Sequence, residues 1–142
     1  MLKGISPLVF PDLLKVLAEM GHGDEIIFSD AHFPAYTLGV PVLQAPGVNV
    51  PQMLDAVLPL LKLDDYVEHA AIMMEAVPGD TLDMDYVDLC TQVLQKHGER
   101  APIGFIERFK FYERAAKVSC VVVTGETRKY GNFLIKKGVI PA

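Results

Sequence analysis

The chain has 142 residues, a net charge of −5 and 51% hydrophobic residues. A chain of this length forms one domain and buries roughly 70% of the surface its unfolded form exposes. An acidic balance with scattered Lys and Arg excludes a nucleic-acid binder with a basic stripe. No apolar run reaches the about 18 residues a membrane helix needs, so a membrane span is excluded too.

Ser6-Pro7 or Pro11 opens the first helix, in which Leu13, Leu14, Leu17 and Met20 recur at helical spacing and Gly21 supplies the stop. Glu25–Ser29, with Ile26, Ile27 and Phe28 consecutive, predicts a short buried strand. A loop over residues 30–39 follows, then a strand near 42–44. A helix is expected from Pro51 to about Leu61, kinked or shortened at Pro59. Further strands are expected over 70–76, 103–107, 119–124 and 132–136, with helices over 85–96 and 109–117. Helices alternating with strands imply an α/β fold, one domain over residues 1–142, with a mixed, largely parallel sheet covered on both faces. In such sheets ligands bind beyond the carboxyl ends of the strands, which directs attention to residues 21–25, 29–36 and 124–132.

Cys90 and Cys120 fall inside a predicted helix and strand, where lone cysteines are usually small buried hydrophobes. No disulfide framework is suggested, and the amino terminus lacks a signal-peptide pattern. The expectation is a cytoplasmic protein. A mean hydropathy of +0.27 is high for a soluble chain of this size and suggests that apolar surface is covered in a homo-oligomer.

Three groups of residues could carry chemistry. Gly21-His22-Gly23-Asp24 and Ser29-Asp30-Ala31-His32 flank the first strand. His22 has a free backbone on either side and can exchange a proton near neutral pH. Asp30 can orient that ring or accept a sugar hydroxyl; the plainer reading makes both turn residues. Asp30-x-His32 with His22 and Asp24 could also form an N/O metal set, but no further acidic and histidine motifs follow downstream, and no metal is expected. Gly125–Asn132 offers the Tyr130 ring and hydroxyl and the Asn132 amide to a polyol. Its plainer reading is a polar, hairpin-like connection. Arg108 stands at a strand–helix junction, where its guanidinium could fork onto hydroxyls or pair with Glu107 or Glu113. Phe109 and Tyr112 beside it read first as core.

Leu2–Pro7, Leu13–Pro34, Phe111–Ala115, Thr124–Glu126, Lys129–Asn132 and Lys136–Val139 together resemble the L-fucose mutarotase branch of the ribose pyranase/fucose mutarotase family. The match covers roughly half the chain, at both ends; residues 80–105 carry no matched motif. The resemblance implies the α/β fold of that family, a ring-based homo-oligomer, expected to be a decamer, and a sugar pocket at a subunit boundary. It implies a cofactor-independent isomerase that interconverts anomers of L-fucose by ring opening and reclosure, with other monosaccharides, including the pyranose and furanose forms of ribose, as further candidate substrates. Carried over by position, His22 becomes the proton donor, and Asp30, Arg108, Tyr130 and Asn132 bind the sugar. The ribose pyranase branch has histidine at the place of Arg108 and alanine at that of Gly131, which favours fucose here. Tyr36 stands where some relatives have histidine. A sugar-binding module without turnover would use the same pocket.

Overall fold

A computed structural model describes all residues, 1–142. Its elements in chain order are α1 (Pro11–Glu19), β1 (Glu25–Ser29), β2 (Val42–Ala45), α2 (Val50–Val57), β3 (Ala71–Met74), α3 (Met84–Lys96), β4 (Gly104–Ile106), α4 (Arg108–Ala115), β5 (Cys120–Thr124) and β6 (Phe133–Lys136). No helix is long and apolar enough to cross a membrane.

Local chemistry sets the helix starts. Pro11 opens α1, and Ser6 instead closes a turn, its hydroxyl accepting the Leu8 N–H at 3.2 Å. Asn49 and Gln52 form a reciprocal capping box on α2. Pro59 ends that helix early: α2 stops at Val57 and a single 3₁₀ turn, Leu58–Leu60, replaces its last turn. The Glu107 carboxylate caps α4 by accepting the Phe109 and Lys110 N–H groups. That carboxylate is therefore not the ion-pair partner weighed for Arg108, which forms no salt bridge with Glu113 either.

The sheet order is β2-β5-β1-β6-β3-β4. β2, β5 and β1 pair in parallel, as do β3 and β4, while β6 runs antiparallel between β1 and β3. Five strands therefore share one direction, and their carboxyl ends, Ser29, Ala45, Met74, Ile106 and Thr124, form one edge. β5 and β6 are not neighbours, so residues 125–132 are not a hairpin turn. They cross over the end of β1, and that crossing packs them on Asp30.

Alternation along the strands builds two cores. Ile26, Phe28, Cys120, Val122, Phe133, Ile135, Ala71 and Met73 face α1, α2 and α3. Ile27, Val121, Leu134, Ile72 and Met74 face Phe111 and Ala115 of α4 and the Phe33–Ala35 segment. The result is three unequal layers, with three helices on one face and one on the other. Cys90 and Cys120 are free and buried, and burial pushes their thiols up to about 12 and about 11. Neither is a nucleophile at neutral pH.

Candidate active site

At the carboxyl-end edge, Asp30, Arg108, Tyr130 and Asn132 line a cavity of about 210 Å³ with His32, Tyr112 and Lys129 on its walls. A larger cavity lies elsewhere. It is an apolar groove of about 540 Å³ around Ile5, Phe10 and Leu14 that offers almost no polar anchor.

Asp30 follows β1 directly, at the point where the strand's two neighbours run in opposite directions, so the loops diverge and leave a crevice. Its carboxylate accepts the His32 N–H at 2.9 Å and the Gly131 N–H at 3.1 Å. Each oxygen keeps a lone pair for a hydroxyl donor. Burial raises the Asp30 pKa above its ordinary value, against the pull of those N–H groups. The Asp30 N–H donates to Asn132 Oδ1 at 3.0 Å, which orients the Asn132 amide and leaves its NH₂ without a protein acceptor.

The crossing segment is fixed from below. Thr124 Oγ1 donates to Ser29 O at 2.7 Å, the Ala31 N–H donates to Glu126 O at 2.8 Å, and Arg128 pairs with the buried Glu126 carboxylate at 3.1 Å. Tyr86 of α3 donates its hydroxyl to Gly131 O at 2.7 Å. A Cβ on Gly131 would lie 2.8 Å from Arg128 O and 3.3 Å from Asp30 Cβ, so only glycine lets the chain approach the carboxylate this closely.

Tyr130 has φ +58°, the left-handed region that a non-glycine residue enters at a cost of about 1–3 kcal/mol. Its hydroxyl donates to Asp80 Oδ2 at 2.8 Å, and Lys129 Nζ binds the same oxygen at 2.7 Å. The Lys129 ammonium, the Thr81 N–H and the Tyr130 hydroxyl hold Asp80 down at about 2. The strained residue is thus clamped with its ring on the cavity wall.

Arg108, the first residue of α4, enters from the β4 side. Its Nε is buried and has no hydrogen-bond partner, alone among the buried side-chain polar atoms. Its guanidinium rests 4.6 Å from the Phe109 ring. An unpaired, buried N–H is costly unless a ligand fills the position. Phe109 itself is exposed and Tyr112 faces the cavity, so of the aromatics on this helix Phe111 is the fully buried one.

His22 is not in this cavity. It precedes β1, whereas Asp30 follows it, and at about 3.3 Å per residue the strand separates Asp24 from Asp30 by about 20 Å. Asp30 therefore does not orient the His22 ring. That place is taken by Asp64, whose Oδ1 lies 3.2 Å from His22 Nε2. The same separation disperses the four residues weighed as a metal set, and no group of three or more His, Cys, Asp or Glu side chains is placed to hold a metal ion. Sequence reading also passed over Asp80 and Tyr86, whose contacts with residues 130–131 span 45 to 50 residues and leave no local signal.

A family model described as the RbsD / FucU transport protein family matches residues 3–140. FucU from Bifidobacterium longum superposes with a TM-score of 0.93 at 40% identity, over 98% of this chain and 100% of that one. A fucose mutarotase from Streptococcus pneumoniae, solved in complex with L-fucose, gives 0.92 at 40% identity, over 99% and 100%. RbsD from Bacillus subtilis, complexed with D-ribose, gives 0.79 at 19% identity over 99% and 100%, a likeness of fold.

Proposed function

The chain belongs to the RbsD / FucU transport protein family, and on that premise we propose that it is a cofactor-independent isomerase, a mutarotase that interconverts the α and β anomers of L-fucose. The observation that carries this reading is the convergence of Asp30, Arg108, Tyr130 and Asn132 on one small cavity, in a chain 40% identical over nearly its whole length to a mutarotase that holds L-fucose. Two acceptor oxygens on Asp30, the Asn132 NH₂ and the unpaired Arg108 Nε suit alternating hydroxyls. The Tyr130 ring suits an apolar sugar face.

Mutarotation removes a proton from the anomeric hydroxyl, opens the ring to the aldehyde, delivers a proton to the ring oxygen and recloses on the other face. His22 is the acid–base group in this reading. General acid–base catalysis contributes about 10²- to 10⁴-fold, and holding the pyranose in register adds to that. Since His22 lies at the opposite sheet edge from the cavity, it serves the pocket of a neighbouring copy. This supports a homo-oligomer with the sugar at a subunit boundary, in a ring-based decamer. Exposed Met1 and Leu2 beside the apolar amino-terminal groove support covered surface in that assembly. The two buried cysteines, neither in a disulfide, support a cytoplasmic location.

NMR saturation transfer between the α and β anomers of L-fucose tests the function, with D-ribose alongside. Exchange that rises in proportion to protein, more for fucose than for ribose, is expected. Sugar binding without faster exchange would instead make the chain a monosaccharide-binding module.

A further inference from the structure

The edge that carries His22 also carries an aromatic side chain that the fold itself leaves unused. Tyr66 is 77% exposed and belongs to neither core. Its main chain is nonetheless fixed. The chain leaving β6 holds the segment before it, with the Asp64 N–H donating to Lys136 O at 3.0 Å and the Gly138 N–H to Lys62 O at 2.6 Å. A Cβ on Gly138 would lie 2.5 Å from Leu63 O, so the two segments approach this closely only through glycine. The Tyr66 N–H then donates to Asp64 Oδ1 at 3.1 Å, and the next residue, Val67, packs on the larger core. The chain is thus anchored on both sides of a ring that projects into solvent.

That ring stands beside His22, with centroids 5.3 Å apart and planes tilted by 59°. Rings at about 4.5–7 Å are in contact. The His22 side chain is itself 44% exposed, so imidazole and phenol form one open surface. A sugar within hydrogen-bond reach of His22, about 3 Å, lies on a surface that Tyr66 continues. The cavity at the other sheet edge supplies Asp30, Arg108, Asn132 and the Tyr130 ring from its own copy. None of these covers the sugar from the side on which a neighbour's His22 arrives. A small-molecule site buries about 70–90% of its ligand's surface, and one imidazole does not supply that cover.

The chemistry of the substrate says which part of it meets Tyr66. His22 works between the anomeric hydroxyl and the ring oxygen. The other neighbour of that oxygen is C5, and in a 6-deoxyhexose C5 carries a methyl group, the sugar's one apolar substituent. We propose that Tyr66 of one copy is a specificity-determining residue of its neighbour's pocket: its ring closes over the sugar beside His22 and packs on that methyl group. This deepens the proposed function and rests on its placement of His22 in a neighbour's pocket. Ribopyranose has no substituent carbon on C5, so Tyr66 favours L-fucose over D-ribose, and one such apolar contact discriminates by about 10-fold.

The chain contains no tryptophan. Tyr66→Trp therefore places a single fluorescent reporter at this position, and the exposure of the side chain lets the variant fold and assemble. Titration of the native assembly with L-fucose should change the tryptophan emission over the concentrations that saturate anomer exchange, and D-ribose should change it less. Tyr66→Ala should raise KM for L-fucose about 10-fold while leaving that for D-ribose and the Tm nearly unchanged. Co-assembly reads which pocket the residue serves. Subunits carrying both Tyr66→Trp and Asp30→Asn, mixed with subunits that keep both residues, should respond to L-fucose at concentrations where the double variant alone is silent. A Tyr66→Trp assembly that exchanges the anomers with unchanged emission, or a Tyr66→Ala assembly with the wild-type preference for fucose over ribose, overturns the role of Tyr66 and leaves the mutarotase reading intact. A mixed assembly as silent as the double variant places Tyr66 outside the neighbour's pocket and overturns it too. A wild type that does not accelerate exchange removes the mutarotase reading, and the role of Tyr66 with it.

Discussion

Replacing Asp30 by asparagine separates what the pocket needs from what the fold prefers. Both oxygens of Asp30 already accept one main-chain N–H, from His32 at 2.9 Å and Gly131 at 3.1 Å, and both retain a lone pair towards the cavity. Asparagine converts one of these oxygens to NH₂. At least one charge-assisted bond to a sugar hydroxyl is lost, worth about 1.5–3 kcal/mol, or roughly a 10- to 150-fold drop in kcat/KM. Stability behaves differently. Burial raises the Asp30 pKa, so between its unfolded value of 3.8 and the higher folded value the native state binds more protons than the unfolded chain. Wild-type stability therefore declines as pH rises through that window, and the penalty persists above it. The variant has no such proton to lose. Thermal unfolding from about pH 3 to about pH 7 should show the variant-minus-wild-type difference in Tm growing more positive with pH, while exchange activity stays low. A difference that grows more negative would mean that the carboxylate is stabilised in the fold, and the reasoning from burial would fail.

Arg108→Lys keeps a positive charge but loses the planar fork and the unpaired Nε. KM for L-fucose should rise about 10-fold with Tm almost unchanged, as read from exchange kinetics and melting curves. Gly125→Ala would place a Cβ 2.3 Å from Pro46 O, a backbone atom with little freedom to move. A loss of about 1–3 kcal/mol is expected in denaturant unfolding. Asp80→Asn removes a carboxylate held at about 2 by Lys129, Thr81 and Tyr130. Its contribution is present above 3.8 and lost as pH falls towards 2, so the variant should lack that part of the acid sensitivity in equilibrium unfolding. It should also bind sugar more weakly through a looser Tyr130.

Much of this layout was legible in local pattern. The consecutive apolar residues of β1 and β5, the heptad-like spacing in α1, and Pro59 each act within one turn or strand, where periodicity and φ restriction speak directly. Asp30 was legible as a candidate because it follows a strand's carboxyl end, where α/β sheets open. The insertion of β6 between β1 and β3 was not legible, because strand order depends on long-range pairing. Mistaking residues 125–132 for a hairpin-like turn followed from that gap. Ser6-Pro7 suits a helix start by residue type, yet α1 begins at Pro11 and the Ser6 hydroxyl accepts the Leu8 N–H in a turn before it. His22 and Asp30, eight residues apart in sequence, read as one constellation. An extended strand between them places them at opposite edges, and only the third dimension supplies Asp64 as the histidine's partner.

In the proposed mutarotase, anomer exchange occurs in a pocket whose Asp30 and His22 come from different copies of the chain. Co-assembly of His22→Ala subunits with Asp30→Asn subunits tests it most directly. In an equal mixture, random pairing leaves about one quarter of the sites with an intact Asp30 from one copy and an intact His22 from its neighbour. A shared site lets the mixed assembly regain about that fraction of the wild-type L-fucose exchange, although each variant alone is nearly inactive. Mixed assemblies no more active than the average of the two variants would contradict a shared site.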